Sequence, residues 1–190
     1  YVMPDPANGL FATQRTRPAY QLDTGTAHRD DRRLPPINQK NPVMCGAIQL
    51  QDTKVFFPHP SAKLPVRKRD GQIEWITWGK RREEMCGFPE GGWARLSSIK
   101  DGRWTRLNPR PVQIAVERFM EKDAEGQRYW FDLEEGEFIQ GLMAFIDGEA
   151  RVYVVTQEAE PQTAMIHPRW PRILQRDAVD APAPRTENAA

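Results

Sequence analysis

Apolar residues in the middle of the chain occur in short runs, each bounded by Gly, Asp or Pro. The runs are rich in β-branched and aromatic residues, a composition typical of β-strands. Two stretches, KRDGQ and DAEGQ, carry the Gly and Asp of tight hairpin turns. The predicted strands are CGAIQL, KVFF, IEWITW, VQIAV, RYWFDL, FIQGLMAFI and RVYVVT.

Helical signals are weak by comparison. The stretch EAEPQTAMIH predicts one short helix after Thr156. We therefore expect an α+β fold with a dominant antiparallel sheet and few short helices.

The two ends of the chain have a different composition. Residues 1–43 and 175–190 contain many prolines and no sustained period, so we expect both to be disordered. The folded unit is then 44–174, about 130 residues, which is an ordinary size for one domain.

The sequence has no apolar run long enough for a membrane span and no export signal. Its only cysteines are Cys45 and Cys86. We expect a cytoplasmic protein.

Charge is unevenly distributed along the predicted domain. Residues 54–110 carry a net charge of +7, whereas residues 111–174 carry −6. The basic half could offer a footprint for phosphates, or the two halves could balance each other in the fold.

Four stretches could carry chemistry. A thiol or amine nucleophile, an acid/base pair and an arginine for an anion together make a plausible site. These stretches contain Met44, Cys45 and Gly46; Trp93 and Arg95; Glu121; and His167 with Arg169.

Each of these residues also has a structural interpretation. Cys45 could be a small buried hydrophobe, and Glu121 a surface charge on a hairpin. His167 could be a structural histidine, and Arg95 could simply pair with a carboxylate. Neither cysteine has a partner at zinc-ligand spacing, so we predict no metal site and no cofactor.

Taken in order, these stretches resemble the SRAP domain, the SOS-response-associated peptidase family. The resemblance covers residues 44–174. It begins with the Met-Cys-Gly start at 44–46 and continues through FPHPSAKLPV at 57–66, Trp78-Gly79 and WARLS at 93–97. It ends with Phe119 to Lys122, Gly141-Leu142, Thr156 and IHPRWP at 166–171.

The chain departs from the family pattern at several positions. Trp93 stands where the family has Asn, Ser97 where it has Glu, Lys122 where it has Trp, and Pro168 where it has Asp. The loop KRREE after Gly79 is short and charged. The chain therefore resembles a divergent, phage-related branch.

The resemblance implies a barrel-like SRAP fold and a covalent chemistry. Members recognise abasic sites in single-stranded DNA, and an N-terminal cysteine closes on the sugar aldehyde to form a thiazolidine. Cys45 would be that residue after loss of residues 1–44, with Glu121 and His167 as acid/base groups. The expected partner is single-stranded DNA, bound by a monomer that associates with the nucleoid during DNA damage.

The DNA contacts expected from this resemblance involve basic and aromatic side chains. Cationic residues would bind phosphates, and indole rings would stack on flanking bases. The predicted contact residues are Arg95, Lys63, Arg67, Arg106, Arg169, Thr156, Trp93 and Trp170.

The segment before Met44 leaves alternatives open. Either the reading frame is extended upstream, the interpretation we favour, or the segment is cut away. Two further functions stay open: a cysteine peptidase that acts on its own leader or on other chains, and a non-covalent module for single-stranded DNA. A lyase activity at the sugar is a further alternative.

Overall fold

The computed structural model describes residues 46–176 and the backbone of Gln21–Leu22. Met44, Cys45, the tail after residue 176 and the remainder of the predicted leader lie outside the described residues. The described part is mostly antiparallel β-sheet with a few short helices, which confirms the predicted α+β class.

The strands form two sheets. They are β1 (Gln21–Leu22), β2 (Ala47–Leu50), β3 (Thr53–Phe56), β4 (Lys63–Arg67), β5 (Ile73–Thr77), β6 (Trp93–Arg95), β7 (Arg110–Ile114), β8 (Arg118–Lys122), β9 (Arg128–Asp132), β10 (Glu137–Ile146), β11 (Glu149–Glu158), β12 (Arg169–Pro171) and β13 (Ile173–Gln175). The helices are α1 (Leu96–Lys100) and α2 (Pro161–Ala164), with a 3-10 turn at Thr105–Leu107.

The smaller sheet has five strands in the order β1-β9-β8-β2-β3. The β2–β3 and β8–β9 pairs are hairpins, and β8 pairs antiparallel with β2 in the middle. At one edge, Gln21 and Leu22 pair with Trp130 and Tyr129 of β9. A short strand from the N-terminal segment therefore extends this sheet.

The larger sheet has the order β12-β11-β10-β7-β4-β5, with β13 on β10 and β6 on β11. Only the β6–β11 pair is parallel among these named strands. An isolated bridge joins Trp78, just after β5, to Val152 on β11. The chain just after β5, at one end of the path, therefore lies beside β11, the second strand from the other end.

Strand β11 separates two apolar clusters. Val152 and Val154 belong to the larger cluster, which lies between the sheets, whereas Tyr153 and Val155 belong to a second cluster on the opposite face. Because successive side chains of a strand point to opposite faces, a strand buried on both sides needs a continuous apolar run. The sequence RVYVVT supplies that run.

Several local predictions can be compared with the structure directly. The predicted helix is present as α2, and both hairpin turns form with glycine at positive φ, 83° at Gly71 and 85° at Gly126. Helix α1 and strands β1, β4, β6, β8, β12 and β13 were not among the predicted elements, and β1 lies in the segment that was expected to be disordered. Within the described residues, no helix is long and apolar enough to cross a membrane.

The charged loop KRREE is anchored by buried arginines. Arg81 is 7% exposed and donates to the carbonyl oxygens of Trp78 and His59. Arg151 donates to Glu84 and to the Gly79 carbonyl oxygen. The charges of this segment therefore fix the path of the chain between β5 and β6.

Candidate functional site between the two sheets

Glu121 is a buried carboxyl group on β8. It is 2% exposed, and its Oε2 has no hydrogen-bond partner among the described residues. Burial raises the pKa of Glu121 from 4.5 to about 8, because the charged form loses its hydration. This burial excludes the interpretation of Glu121 as a surface charge. The side chain can hold a proton at neutral pH, as a general acid must.

Gly46 lies across the sheet from Glu121. Ala47 pairs with Met120 and Ile48 with Phe119, so the same antiparallel register carried one residue further sets Gly46 opposite Glu121. The Gly46 carbonyl oxygen accepts a hydrogen bond from the Phe57 N–H at 3.1 Å. Cys45 itself lies outside the described residues, but its chain neighbour is buried beside Glu121.

The indole rings of Trp93 and Trp78 pack against Gly46, and the ring of Phe57 packs against both indoles. The ring centroid of Phe57 lies 4.6 Å from that of Trp93 and 5.3 Å from that of Trp78, with edge-to-face geometry. A Cβ on Gly46 would lie only 3.0 Å from Trp93 Cζ2, so glycine permits this close approach. Trp93 is half-buried in this cluster, at the position where the family has Asn.

A second group of polar side chains lies on the larger sheet. Thr156 is fully buried, and its Oγ1 accepts a hydrogen bond from Arg169 Nη2 at 2.6 Å. Thr156 pairs with Arg95 on β6 and with Pro171 on β12. Burial lowers the pKa of Arg169, and the nearby positive charge of Arg95 lowers it further, whereas the negative charge of Glu158 raises it. Two guanidinium groups near each other favour an anionic ligand.

His167 lies in the turn between α2 and β12. It is 5% exposed, and its Nδ1 lies 2.9 Å from the Arg169 carbonyl oxygen, to which an Nδ1–H can donate. In the other tautomer, Nδ1 can accept from the Arg169 N–H at 3.2 Å. Its Nε2 is buried without a hydrogen-bond partner among the described residues. In the tautomer with the proton on Nδ1, the Nε2 lone pair is available to accept a proton.

Trp170 joins the two groups of side chains. Its ring meets Phe119 at 5.4 Å and Phe131 at 4.7 Å between centroids, in both cases edge to face. Phe119 lies two residues before Glu121 on β8, so the two side chains share a face of the strand. Trp170 is only 4% exposed, so the structure gives its ring a packing role and no free surface for stacking a base.

The remaining predicted DNA contacts lie elsewhere. On β4, Leu64 and Val66 point into the core, so alternation sends Lys63 and Arg67 to the outer face. Arg106 lies in the 3-10 turn, whose Leu107 packs into the cluster on the far side of β11. The structure therefore brings Arg95, Trp93, Thr156, Arg169 and Trp170 to one side of β11, and it separates Lys63, Arg67 and Arg106 from them.

Sequence reasoning missed the contribution of Phe57, which ties Gly46 to the aromatic cluster. The glycine pair before Trp93 is a signal that could have indicated it. A Cβ at Gly92 would lie 2.6 Å from the Phe57 ring and from Trp78 Nε1. Among the described residues, no three His, Cys, Asp or Glu side chains are arranged to hold a metal ion.

Comparison of the chain with protein-family models, curated proteins and solved structures finds no match.

Proposed function

We propose that this protein captures abasic sites in single-stranded DNA covalently, as the SRAP family does, and that Cys45 is the residue that becomes linked. The observation that carries the proposal is the position of Glu121. A buried carboxyl group with a pKa of about 8 lies across the sheet from Gly46, the residue next to Cys45. A protonated acid at that place suits the removal of water from an amine–aldehyde adduct.

The reaction starts from the aldehyde of an opened abasic sugar. A free α-amine has a pKa near 8, so a part of it is neutral at pH 7 and can attack the aldehyde carbon. The adduct loses water with a proton from Glu121 and becomes an imine. The Cys45 sulfur then adds to the imine carbon while the nitrogen takes up the thiol proton. Ring closure is intramolecular and therefore fast, and the products are a thiazolidine and one water molecule.

The polar group on the larger sheet suits the DNA backbone. Arg169 and Arg95 supply positive charge near Thr156, which Glu158 offsets in part, and both guanidinium groups could donate hydrogen bonds to a phosphate. His167, with an unpaired Nε2, could exchange a proton with the sugar hydroxyl during ring opening. Trp93 borders this group and could cover the sugar.

The direct test is a denaturing gel of the protein incubated with a single-stranded oligonucleotide that carries one abasic site. We expect an adduct that survives SDS, whose mass equals protein plus DNA minus one water. Cys45→Ala should abolish the adduct. Cys86→Ala should retain it, since Cys86 packs against the second apolar cluster, on the opposite face of β11. An SDS-resistant adduct of undiminished yield from Cys45→Ala would exclude the thiazolidine mechanism.

A second candidate function is self-cleavage before Cys45. The buried position of Gly46 favours it, because Cys45 directly precedes the residue that lies opposite the buried carboxyl group of Glu121. Intact-mass analysis separates the two functions. Self-cleavage releases the N-terminal segment without DNA, at a rate that Cys45→Ala abolishes, whereas DNA capture adds mass only when the abasic oligonucleotide is present.

A further inference from the structure

A groove of about 600 Å³ lies outside the candidate site, where an edge of the smaller sheet faces an edge of the larger sheet. One wall is β3, the edge strand of the smaller sheet, and the other is the β4–β5 hairpin of the larger sheet. Its floor includes the connection between β3 and β4, with His59. An edge strand with an open groove beside it commonly marks a binding surface.

Two aromatic rings stand exposed in this groove. Phe56 is 39% exposed and Trp75 is 37% exposed, and neither ring packs against another aromatic ring among the described residues. Large rings that remain accessible on opposite walls of a groove can stack on planar ligands. Nucleotide bases are such ligands, and stacking on them depends little on sequence.

The charged lining of the groove has one sign only. Lys54 lies on the β3 wall, with its ammonium 5.3 Å from the ring centroid of Trp130, and Lys63 lies on the β4 wall. Among the described residues, no Asp or Glu lines the groove. Neither ammonium group forms an ion pair with a carboxylate in the described part of the chain. Glu74 points away from Trp75 by strand alternation and lies 4.0 Å from Lys68. The groove is therefore complementary to an anion that also carries flat apolar groups.

The groove is connected to the candidate site through two consecutive residues. Phe56 lines the groove, and the N–H of the next residue, Phe57, donates to the Gly46 carbonyl oxygen at 3.1 Å. The ring of Phe57 packs on Trp93 inside the site. A strand that leaves the site beside Gly46 could therefore continue along β3.

We propose that this groove binds single-stranded DNA that flanks the abasic nucleotide, with bases stacked on Phe56 and Trp75 and phosphates held by Lys54 and Lys63. The proposal rests on the proposed function for the position of the abasic nucleotide. The groove itself requires only a single strand, and so the two can fail separately.

The test measures binding of fluorescent twelve-nucleotide single strands, with and without a central abasic site, by anisotropy. Trp75→Ala should weaken binding of both strands about tenfold, as loss of one stacked base does, and Trp75→Phe should restore most of it. Lys54→Gln with Lys63→Gln should lower the salt dependence of binding by roughly two phosphate contacts. The matched controls are Met85→Ala, which removes an exposed apolar side chain, and Lys100→Gln, which removes an exposed charge elsewhere.

The covalent reaction gives a second readout. At saturating abasic DNA the rate of cross-linking by Trp75→Ala should equal that of the unchanged protein, and a trinucleotide should be captured equally by both. Urea unfolding of each variant checks that the fold is intact.

The outcomes separate the two proposals. If the protein cross-links but Trp75→Ala and the lysine variant bind as tightly as the controls, the groove proposal is wrong. The same conclusion holds if a poly-glutamate peptide competes as well as DNA, because stacking then contributes nothing. If these variants weaken single-strand binding but neither they nor the unchanged protein form an adduct, the groove proposal is supported and the proposed covalent function is wrong.

Discussion

Phe119 on β8 and Trp170 on β12 meet edge to face with ring centroids 5.4 Å apart. This contact joins the two sheets, and a buried titratable side chain lies near each partner in the sequence. Glu121 lies two residues beyond Phe119 on the same face of β8, and His167 lies three residues before Trp170. Phe119 is therefore close to Glu121 along β8, and Trp170 is close to His167 in the sequence.

Replacing Trp170 with Ala should destabilise the protein by about 3–5 kcal/mol, the usual cost of truncating a buried aromatic side chain. Trp170→Phe should cost much less, because Trp170 Nε1 has no hydrogen-bond partner among the described residues and a phenyl ring keeps part of the contact. Urea unfolding at constant pH measures both values. Equal destabilisation by the two variants would contradict the packing role.

Glu121→Gln should change how stability depends on pH. An unfolded glutamate ionises near 4.5, whereas the folded pKa of Glu121 is about 8. Between these pH values the unfolded state holds fewer protons, so the stability of the unchanged protein falls as the pH rises. The fall is at most about 1.4 kcal/mol for each pH unit.

Glutamine keeps the shape of the side chain without the charge, so the variant should gain stability relative to the unchanged protein as the pH rises from 5 to 8. Urea unfolding at several pH values tests this difference. Glu90→Gln is the control, because that side chain is exposed. Parallel pH profiles for the unchanged protein and Glu121→Gln would mean that Glu121 ionises at its ordinary pKa.

Thr156→Val should show how much the hydrogen bond between Thr156 and Arg169 contributes, apart from the positive charge of Arg169. Valine keeps the buried volume of Thr156 but cannot accept the 2.6 Å hydrogen bond from Arg169. We expect a loss of about 1.5–3 kcal/mol of stability, the range for hydrogen bonds to charged groups, and recovery in Thr156→Ser. Binding to single-stranded DNA should weaken with an unchanged salt slope.

Arg169→Ala should act differently, because it removes the positive charge itself. The salt slope of DNA binding should fall by about one phosphate contact. Lys100→Ala, on the exposed side of α1, should leave the slope unchanged. If Arg169→Ala and Lys100→Ala have the same slope, Arg169 makes no phosphate contact.

The sequence was sufficient to predict the elements with strong local signals. Apolar runs such as RVYVVT and the hairpin glycines Gly71 and Gly126 specify their own conformations. Strand β8 was not predicted because Arg118 and Glu121 interrupt its apolar pattern, and the burial of Glu121 depends on a partner sheet that is distant in sequence. The sequence also did not predict that Lys63 and Arg95 lie apart, because strand alternation and sheet order decide which face each cation occupies.

The identity of the nucleophile can be tested by blocking the amine of Cys45. Cys45 supplies both a thiol and an α-amine only when no residue precedes it. A peptide nitrogen is not basic and cannot form an imine with the abasic aldehyde, and a thiol alone forms only a labile hemithioacetal. We expect a chain that starts at Met44 to form a durable adduct once the methionine is removed.

A chain that retains residues 1–44 should bind single-stranded DNA with similar affinity but form no adduct that survives SDS. Intact-mass analysis must establish the first residue of each protein before the gel is run. Comparable rates and yields from the verified long and short chains would overturn the assignment of Cys45, and a lysine amine would then be the nucleophile to test. Borohydride reduction separates these cases, because it traps a lysine imine permanently, whereas a thiazolidine needs no reduction to persist on the gel.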